Sequence, residues 1–170
     1  MVMARGYQRA EQPFRLSSGG WSHDYVDGKY ALCSGQALRT ASEAVLEVVG
    51  GGFDVVGGPS MGADALAHGV SLVSGAGWFS VRKEAKGHGR ESWLEGWRLQ
   101  GGERVVVVED VSTTGKSLLR AVERIEAFGV EIVAAVALLD RAPAVRTNIE
   151  GRGLRWEPLL TWEDLGIEPL

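Results

Sequence analysis

Residues 105–117 read VVVVEDVSTTGKS, and this stretch decides the fold. Its run of valines favours a strand that is buried on both faces, as in the middle of a parallel sheet. A loop of hydroxyl residues and glycine follows the strand, and a helical pattern begins after it. In open α/β sheets, the turn after such a strand lies at the carboxyl end of the sheet, where ligands bind. The stretch therefore predicts a central strand with a ligand site at its end.

The loop has the chemistry of a phosphate-binding site. Ser112, Thr113 and Thr114 offer hydroxyl groups, and Gly115 allows a ligand to approach the backbone closely. The N–H groups and the dipole at the start of the next helix favour an anion. Ser and Thr are also ordinary helix caps, so a strand-turn-helix unit with a polar cap is the alternative interpretation.

Two adjacent carboxylates come just before this loop. Glu109 and Asp110 would repel a phosphate, but they can accept hydrogen bonds from sugar hydroxyls or bind a metal. Asp110 also excludes a nucleoside-triphosphate P-loop ending at Ser117, because that motif needs a glycine at the same place. The stretch therefore indicates a ribose-phosphate site.

Composition predicts one globular domain over residues 1–170. The chain is 45% hydrophobic and 24% charged, which is ordinary for a domain with a real core. A net charge of -4 does not favour binding to nucleic acid or to a membrane surface. The single cysteine excludes an internal disulfide framework, and neither a membrane-spanning run nor a signal-peptide core is found. We expect a cytoplasmic protein.

Apolar patterns along the chain alternate between strand and helix. A helix is expected from a Ser34 cap to about Val49, and further helices after Gly62 and after Ser117. The predicted strands are 53–56, 78–81, the valine run, 130–139 and 154–160. This alternation predicts an α/β, Rossmann-like, doubly wound parallel sheet. Residues 1–15 are expected to form a loosely held arm, 142–153 a loop, and the glycines at 19–20 the turn of a hairpin.

Two further loops could bind anions. The glycine-rich turn at Gly58–Gly62 between a strand and a helix is an anion site by geometry, although such turns are also common connectors. Residues 82–89 read RKEAKGHG, which gathers cations and a histidine among glycines that disfavour a rigid helix. We predict a mobile loop whose charges meet a polyanion; a solvated basic loop is the alternative.

The valine-acid-threonine stretch resembles the phosphoribosyl pyrophosphate (PRPP) motif of the type I phosphoribosyltransferases. The RKEAKGHG segment is similar to the catalytic loop of the orotate branch of that family. The resemblance implies PRPP and orotate as substrates, orotidine 5′-phosphate and pyrophosphate as products, and Mg²⁺ carried by PRPP rather than by a metal site of the protein. It also implies a homodimer in which this loop serves the neighbouring subunit, and a small hood from about 14–32 and 154–170.

The resemblance assigns roles residue by residue. The implied catalytic residues are Lys86, His88 and Asp110. The implied substrate-binding residues are Tyr25, Gly58, Pro59, Ser60, Met61, Gly62, Arg82, Lys83, Glu109, Ser112, Thr113, Thr114, Gly115, Lys116, Ser117 and Arg141. Among these, the loop cations would neutralise pyrophosphate, the acids would hold the ribose hydroxyls, and Arg141 would reach the base.

The chain departs from the family pattern at three places. Ser17 and Met61 stand where a lysine is common, and the helix that usually precedes the hood strand is not evident in the sequence. Two other functions therefore stay open: a phosphoribosyltransferase for another nucleobase, and a non-catalytic PRPP-binding regulatory protein.

Overall fold

The computed structural model describes residues 2–15, 19–85 and 93–170. After a π-helical turn at Val2–Gly6, its strands are β1 (Tyr7–Arg15), β2 (Trp21–Val26), β3 (Val55–Pro59), β4 (Gly77–Val81), β5 (Leu94–Gly96), β6 (Arg104–Ser112), β7 (Glu131–Asp140) and β8 (Trp156–Pro158). Its helices are α1 (Gly28–Ala31), α2 (Gly35–Val49), α3 (Asp64–Ser74), α4 (Lys116–Glu126) and α5 (Pro143–Glu150).

The main sheet has the strand order β5-β4-β3-β6-β7-β8, and β6 lies near its middle. β5 runs antiparallel to β4, and the other neighbours are parallel. The four consecutive valines of β6 are fully buried: Val106 and Val108 pack with α2 and α3, while Val105 and Val107 pack with α4 and α5. Helices thus cover both faces, which confirms the predicted doubly wound sheet.

The predicted helix after Ser34 is confirmed at both ends. Ser34 Oγ accepts a hydrogen bond from the Ala37 N–H at 3.3 Å, and Gly50 ends α2 in the left-handed conformation at φ 81°. Ala41 and Val45 on its inner face are buried against the sheet. The cap, the apolar face and the glycine stop act together, as expected for a short helix packed on a sheet.

The N-terminal segment is more ordered than the sequence predicted. The expectation of a loose arm over 1–15 is wrong, because Val2–Gly6 forms a helical turn and β1 pairs with β2 in an antiparallel hairpin. The hairpin around Gly19 and Gly20 is confirmed. Most side chains of β1 are exposed or half-buried, so the strand lacks the apolar alternation by which strands are found in a sequence.

Two other boundaries differ from the prediction. The expected loop at 142–153 contains α5, which begins with Pro143 in its first turn and buries Val145 and Ile149, four residues apart. Gly58 and Pro59 belong to β3 rather than to a turn. A Cβ at Gly58 would overlap the carbonyl oxygen of Val108, so close packing between strands explains the glycine.

Candidate active site

The acid pair ends the central strand beside the glycine-rich turn. Gly62 and Gly28 both pack so closely on the Asp110 side chain that neither place has room for a Cβ. The carboxyl group is therefore held between the turn after β3 and the start of α1. The two motifs that the sequence predicted to share a site do lie side by side.

Burial governs the charge of both acids. Glu109 is 7% exposed, and its burial, followed by the charge of Asp110, raises the pKa of Glu109 to about 7, against the effect of the nearby Ser117 and Ser112 hydroxyls. Burial also raises the pKa of Asp110, while the Val111 N–H and the Lys29 cation oppose that shift. The raised pKa brings the titration of Glu109 towards neutral pH, where an arriving ligand can change the protonation of this group.

Lys29 is a neighbour of the acids that the sequence did not point to. Its Nζ lies 3.9 Å from Asp110 Oδ2 and 3.8 Å from Asp27 Oδ1. Asp27 in turn caps α1 by accepting hydrogen bonds from the N–H groups of Lys29 and Tyr30. Only the folding of the N-terminal segment onto the sheet brings this lysine, which is distant in sequence, to Asp110.

The loop between β6 and α4 leads into a helix whose N-cap residue is a glycine and so offers no side chain for capping. Gly115 is the N-cap, at φ 71°, and Lys116 N–H makes a long 3.4 Å hydrogen bond to Thr114 Oγ1. The alternative interpretation of a conventional polar cap therefore receives little support. Ser112 Oγ is buried near Glu109 and has no hydrogen-bond partner among the described residues, so this hydroxyl is left unsatisfied at the carboxyl end of the strand.

A cleft of about 510 Å³ opens beside this loop. It is lined by Pro59, Val81, Arg82, Lys83, Thr113, Thr114, Lys116, Ser117, Arg120, Ala121 and Arg124. It thus joins the end of β3, the cations after β4 and the predicted phosphate loop. The acids do not line it, but Ser117 both lines the cleft and lies near Glu109. An anion in the cleft and a sugar at the acids would be neighbours.

Arg120 and Arg124 were not predicted as site residues. Together with Lys116 they are spaced four residues apart, which places three cations on one face of α4. That spacing was the available signal, but cations along a helix are usually a solvated face. Asn148 of α5 also escaped prediction; its Nδ2 donates to Thr114 O at 2.9 Å and steadies the loop.

The predicted base-side residues lie at the hairpin and at the end of β7. The Tyr25 ring is partly exposed and packs edge-on against Phe14 at 5.9 Å. Arg141 is only 2% exposed, and its guanidinium donates to the carbonyl oxygens of Asp24 at 3.3 Å and Glu168 at 3.1 Å. Burial lowers the pKa of Arg141, while Asp24 and Tyr7 oppose that shift. Contact between Arg141 and a base stays a prediction.

The remaining predicted residues divide into two groups. Ser60 and Met61 lie in the turn after β3, with Met61 74% exposed. Lys86 and His88, predicted to be catalytic, lie outside the described residues, as does the departure at Ser17.

The described residues hold no cluster of three potential metal-binding side chains. Mg²⁺, however, is commonly bound by one or two carboxylates together with substrate phosphates and water. The paired Glu109 and Asp110 carboxyls fit a Mg²⁺ ion that arrives with a polyphosphate.

Within the part of the chain that the structure describes, no helix has the length and apolar character to cross a membrane.

Comparison with known proteins defines the class to which this fold and site belong. Residues 34–148 match the phosphoribosyl transferase domain. The chain belongs to this family, of the type I fold.

Within that family, its relatives include orotate phosphoribosyltransferases. The chain is 38% identical to that enzyme of Aquifex aeolicus over 161 residues, which are 91% of this chain and 87% of the other. The crystal structure of Mycobacterium tuberculosis H37Rv orotate phosphoribosyltransferase in complex with Fe(III) dicitrate superimposes with a TM-score of 0.82 at 35% identity, covering 98% of this chain and 95% of that one. The same enzyme in complex with PRPP gives 0.76 at 35% identity, with 89% and 88% covered.

Proposed function

We propose that this chain is an orotate phosphoribosyltransferase, which transfers the 5-phosphoribosyl group from PRPP to orotate and releases pyrophosphate and orotidine 5′-phosphate. The observation that carries the proposal is the position of the acid pair, between a phosphate-type loop and the turn after β3, beside a cleft lined by cations. Identity of 38% to an orotate phosphoribosyltransferase over most of both chains supports the choice of acceptor.

The reaction needs charges in fixed positions. As the bond from ribose C1 to pyrophosphate breaks, positive charge grows on the ribose and negative charge on the leaving group, and placed charges stabilise both. Glu109 and Asp110 hold the ribose hydroxyls and lie near the developing cation. Arg82 and Lys83 neutralise the pyrophosphate together with Lys86 and His88, the predicted catalytic residues of the same loop. A Mg²⁺ ion carried by PRPP supplies further neutralisation of the phosphates when bound.

The loop after β6 anchors the other end of the substrate. The hydroxyls of Thr113, Thr114 and Ser117 and the backbone from Gly115 onward bind the 5′-phosphate, as the free start of a helix favours. Tyr25 and Arg141 face the orotate ring from the hood and the end of β7. This division places the ribose over β6 and the base towards the N-terminal hairpin.

The proposed working form is a cytoplasmic homodimer in which the loop that carries Lys86 and His88 in one subunit serves the site of the other, while Lys83 at the base of that loop stays at the cleft of its own chain. This arrangement can be tested by mixing two strongly impaired variants, Lys86→Ala and Asp110→Asn. Recovery of turnover that neither variant shows alone supports the shared site, whereas no recovery in a confirmed mixed dimer contradicts it.

The acceptor is tested by a spectrophotometric assay with PRPP and orotate, uracil, hypoxanthine or adenine. Turnover with orotate and with none of the other three bases supports the proposal. The exposed Met61, where the family commonly has lysine, favours the second candidate, transfer to another base. Turnover with another base would support that candidate, and PRPP binding without any turnover would indicate a regulatory protein.

A further inference from the structure

Arg124 of α4 contacts the chain at both ends of the segment between β4 and β5. Its guanidinium donates to the carbonyl oxygen of Arg82 through Nη1 and to that of Lys83 at 3.2 Å through Nη2. The same group lies 3.7 Å from the ring centroid of Trp93. Arg82 N–H in turn donates to Trp93 O at 2.8 Å. One planar side chain thus fixes the residues on both sides of the 84–92 segment.

We propose that Arg124 is a positioning residue that holds Lys83 at the cleft, in the place where Lys83 meets the pyrophosphate group of PRPP. This inference rests on the proposed function, and in particular on the proposed role of Lys83. It assigns Arg124 no direct contact with the reacting atoms.

The need for such a residue follows from the end of β4. Strand pairing stops at Val81, and Arg82 N–H still bonds to Trp93, but Lys83 lies beyond these sheet contacts. A lysine side chain has many rotamers, so the position of its ammonium group depends on where its backbone is held. In the described part of the chain, the hydrogen bond from Arg124 is the one that holds the Lys83 carbonyl.

The side chains of the two neighbouring cations have different surroundings. Arg82 forms an ion pair with Glu95 of β5, which directs its charge towards the sheet edge. Lys83 is exposed, lines the cleft and forms no ion pair with a described residue. Of these two cations, Lys83 is therefore the one that remains available for an incoming anion, and its placement has a direct effect on binding.

Arginine suits this role better than lysine would. Its rigid fork can reach two carbonyl oxygens at once while its flat face stacks on an indole ring. A lysine at position 124 would keep the positive charge beside the cleft but would lose the fork and most of the stacking. The Arg124→Lys variant therefore separates positioning from charge.

The test is steady-state kinetics with PRPP and orotate for Arg124→Lys, Lys83→Ala and the double variant, with thermal unfolding measured on each. Arg124→Lys should raise KM for PRPP about tenfold, as the loss of a hydrogen bond from a charged group commonly does, and leave KM for orotate near the wild-type value. The double variant should be no worse than Lys83→Ala alone, because both changes remove the same interaction. Arg152→Ala is the matched control, since Arg152 pairs with Glu126 at 3.2 Å on the exposed surface.

Three results would overturn the inference. Wild-type KM in Arg124→Lys would show that charge alone matters, and additive losses in the double variant would show that Arg124 acts on the ligand independently. A wild-type KM for PRPP in Lys83→Ala would show that Lys83 does not bind PRPP, so that holding it in place has no effect. Orotate turnover, and so the proposed function, would remain intact in that case. If an Arg124 variant does not fold, Trp93→Leu provides the same test, because loss of the stacking partner should raise KM for PRPP several-fold.

Discussion

Gly28→Ala is expected to move the Asp110 carboxyl out of its position at the end of β6. An alanine Cβ at this place would lie 2.6 Å from Asp110 Cβ and 3.1 Å from its Oδ2. Gly28 does not have a positive φ, so the backbone itself accepts alanine and the effect comes from the contact alone. A shift of about 0.8 Å is needed to restore the 3.4 Å of an ordinary contact from 2.6 Å.

The displacement should fall on Asp110 because α1 has little freedom to retreat. Asp27 caps α1, and Ala31 at the other end is fully buried in the core. A misplacement of about 1 Å in a catalytic group can lower the rate about a hundredfold, so kcat/KM for PRPP should fall by tenfold to about a hundredfold. The thermal midpoint should change little, because the clash lies at the site rather than in the core.

Steady-state kinetics with varied PRPP, beside thermal unfolding, measures this prediction. Gly35→Ala is the control, because it makes the same change near the start of α2 where a Cβ meets open space. A folded Gly28→Ala enzyme with wild-type kcat and KM would refute the reasoning, since Asp110 would then act from a displaced position. Gly62→Ala provides a second approach to the same carboxyl from the opposite side.

Three further outcomes are expected. Lys86→Ala should lower turnover about a hundredfold, as loss of one preorganised charge contact does, and an unchanged rate at saturating substrates would exclude the loop from the mechanism. Because the pKa of Glu109 rises from 4.5 to about 7 on folding, its ionised form destabilises the fold above pH 7, and this penalty disappears as pH falls through 7 to 4.5. Glu109→Gln should thus raise the free energy of unfolding by about 3 kcal/mol at pH 8 and by almost nothing below pH 4.5. Urea titrations at the two pH values measure this, and an equal gain in stability at both would contradict it. Ser34→Ala should cost about 1 kcal/mol in the same titrations through loss of the α2 cap, and no loss would mean that another group satisfies the Ala37 N–H.

Local patterns predicted the parts of the fold whose residues lie near one another in sequence. Three local features were predicted from a few neighbouring residues and are confirmed: the valine run of β6, the Ser34 cap and the glycine that ends α2 at position 50. Strand β1 escaped because its side chains face outward on a two-stranded hairpin, where burial leaves no alternation. Helix α5 escaped because it spans only eight residues and buries a narrow apolar face.

The site shows the same division. The acids and the predicted phosphate loop are consecutive in sequence and were predicted as a unit. Lys29 and Arg124 were not, because Lys29 meets Asp110 and Arg124 meets Lys83 only after distant segments have folded together. No period or motif in the sequence reports such a contact.

The burial of Arg141 links residues 168–170 to the proposed base pocket. Its guanidinium bonds to Glu168, and its carbonyl oxygen accepts from the Leu170 N–H at 2.9 Å. If residues 168–170 detached, the buried Arg141 guanidinium would lose the Glu168 carbonyl as an acceptor. The hairpin, which contacts the same guanidinium through the Asp24 carbonyl, would loosen as well. Deletion of residues 168–170, which are far in sequence from the predicted catalytic residues, should thus alter selectivity for the proposed acceptor before it alters binding of the sugar phosphate.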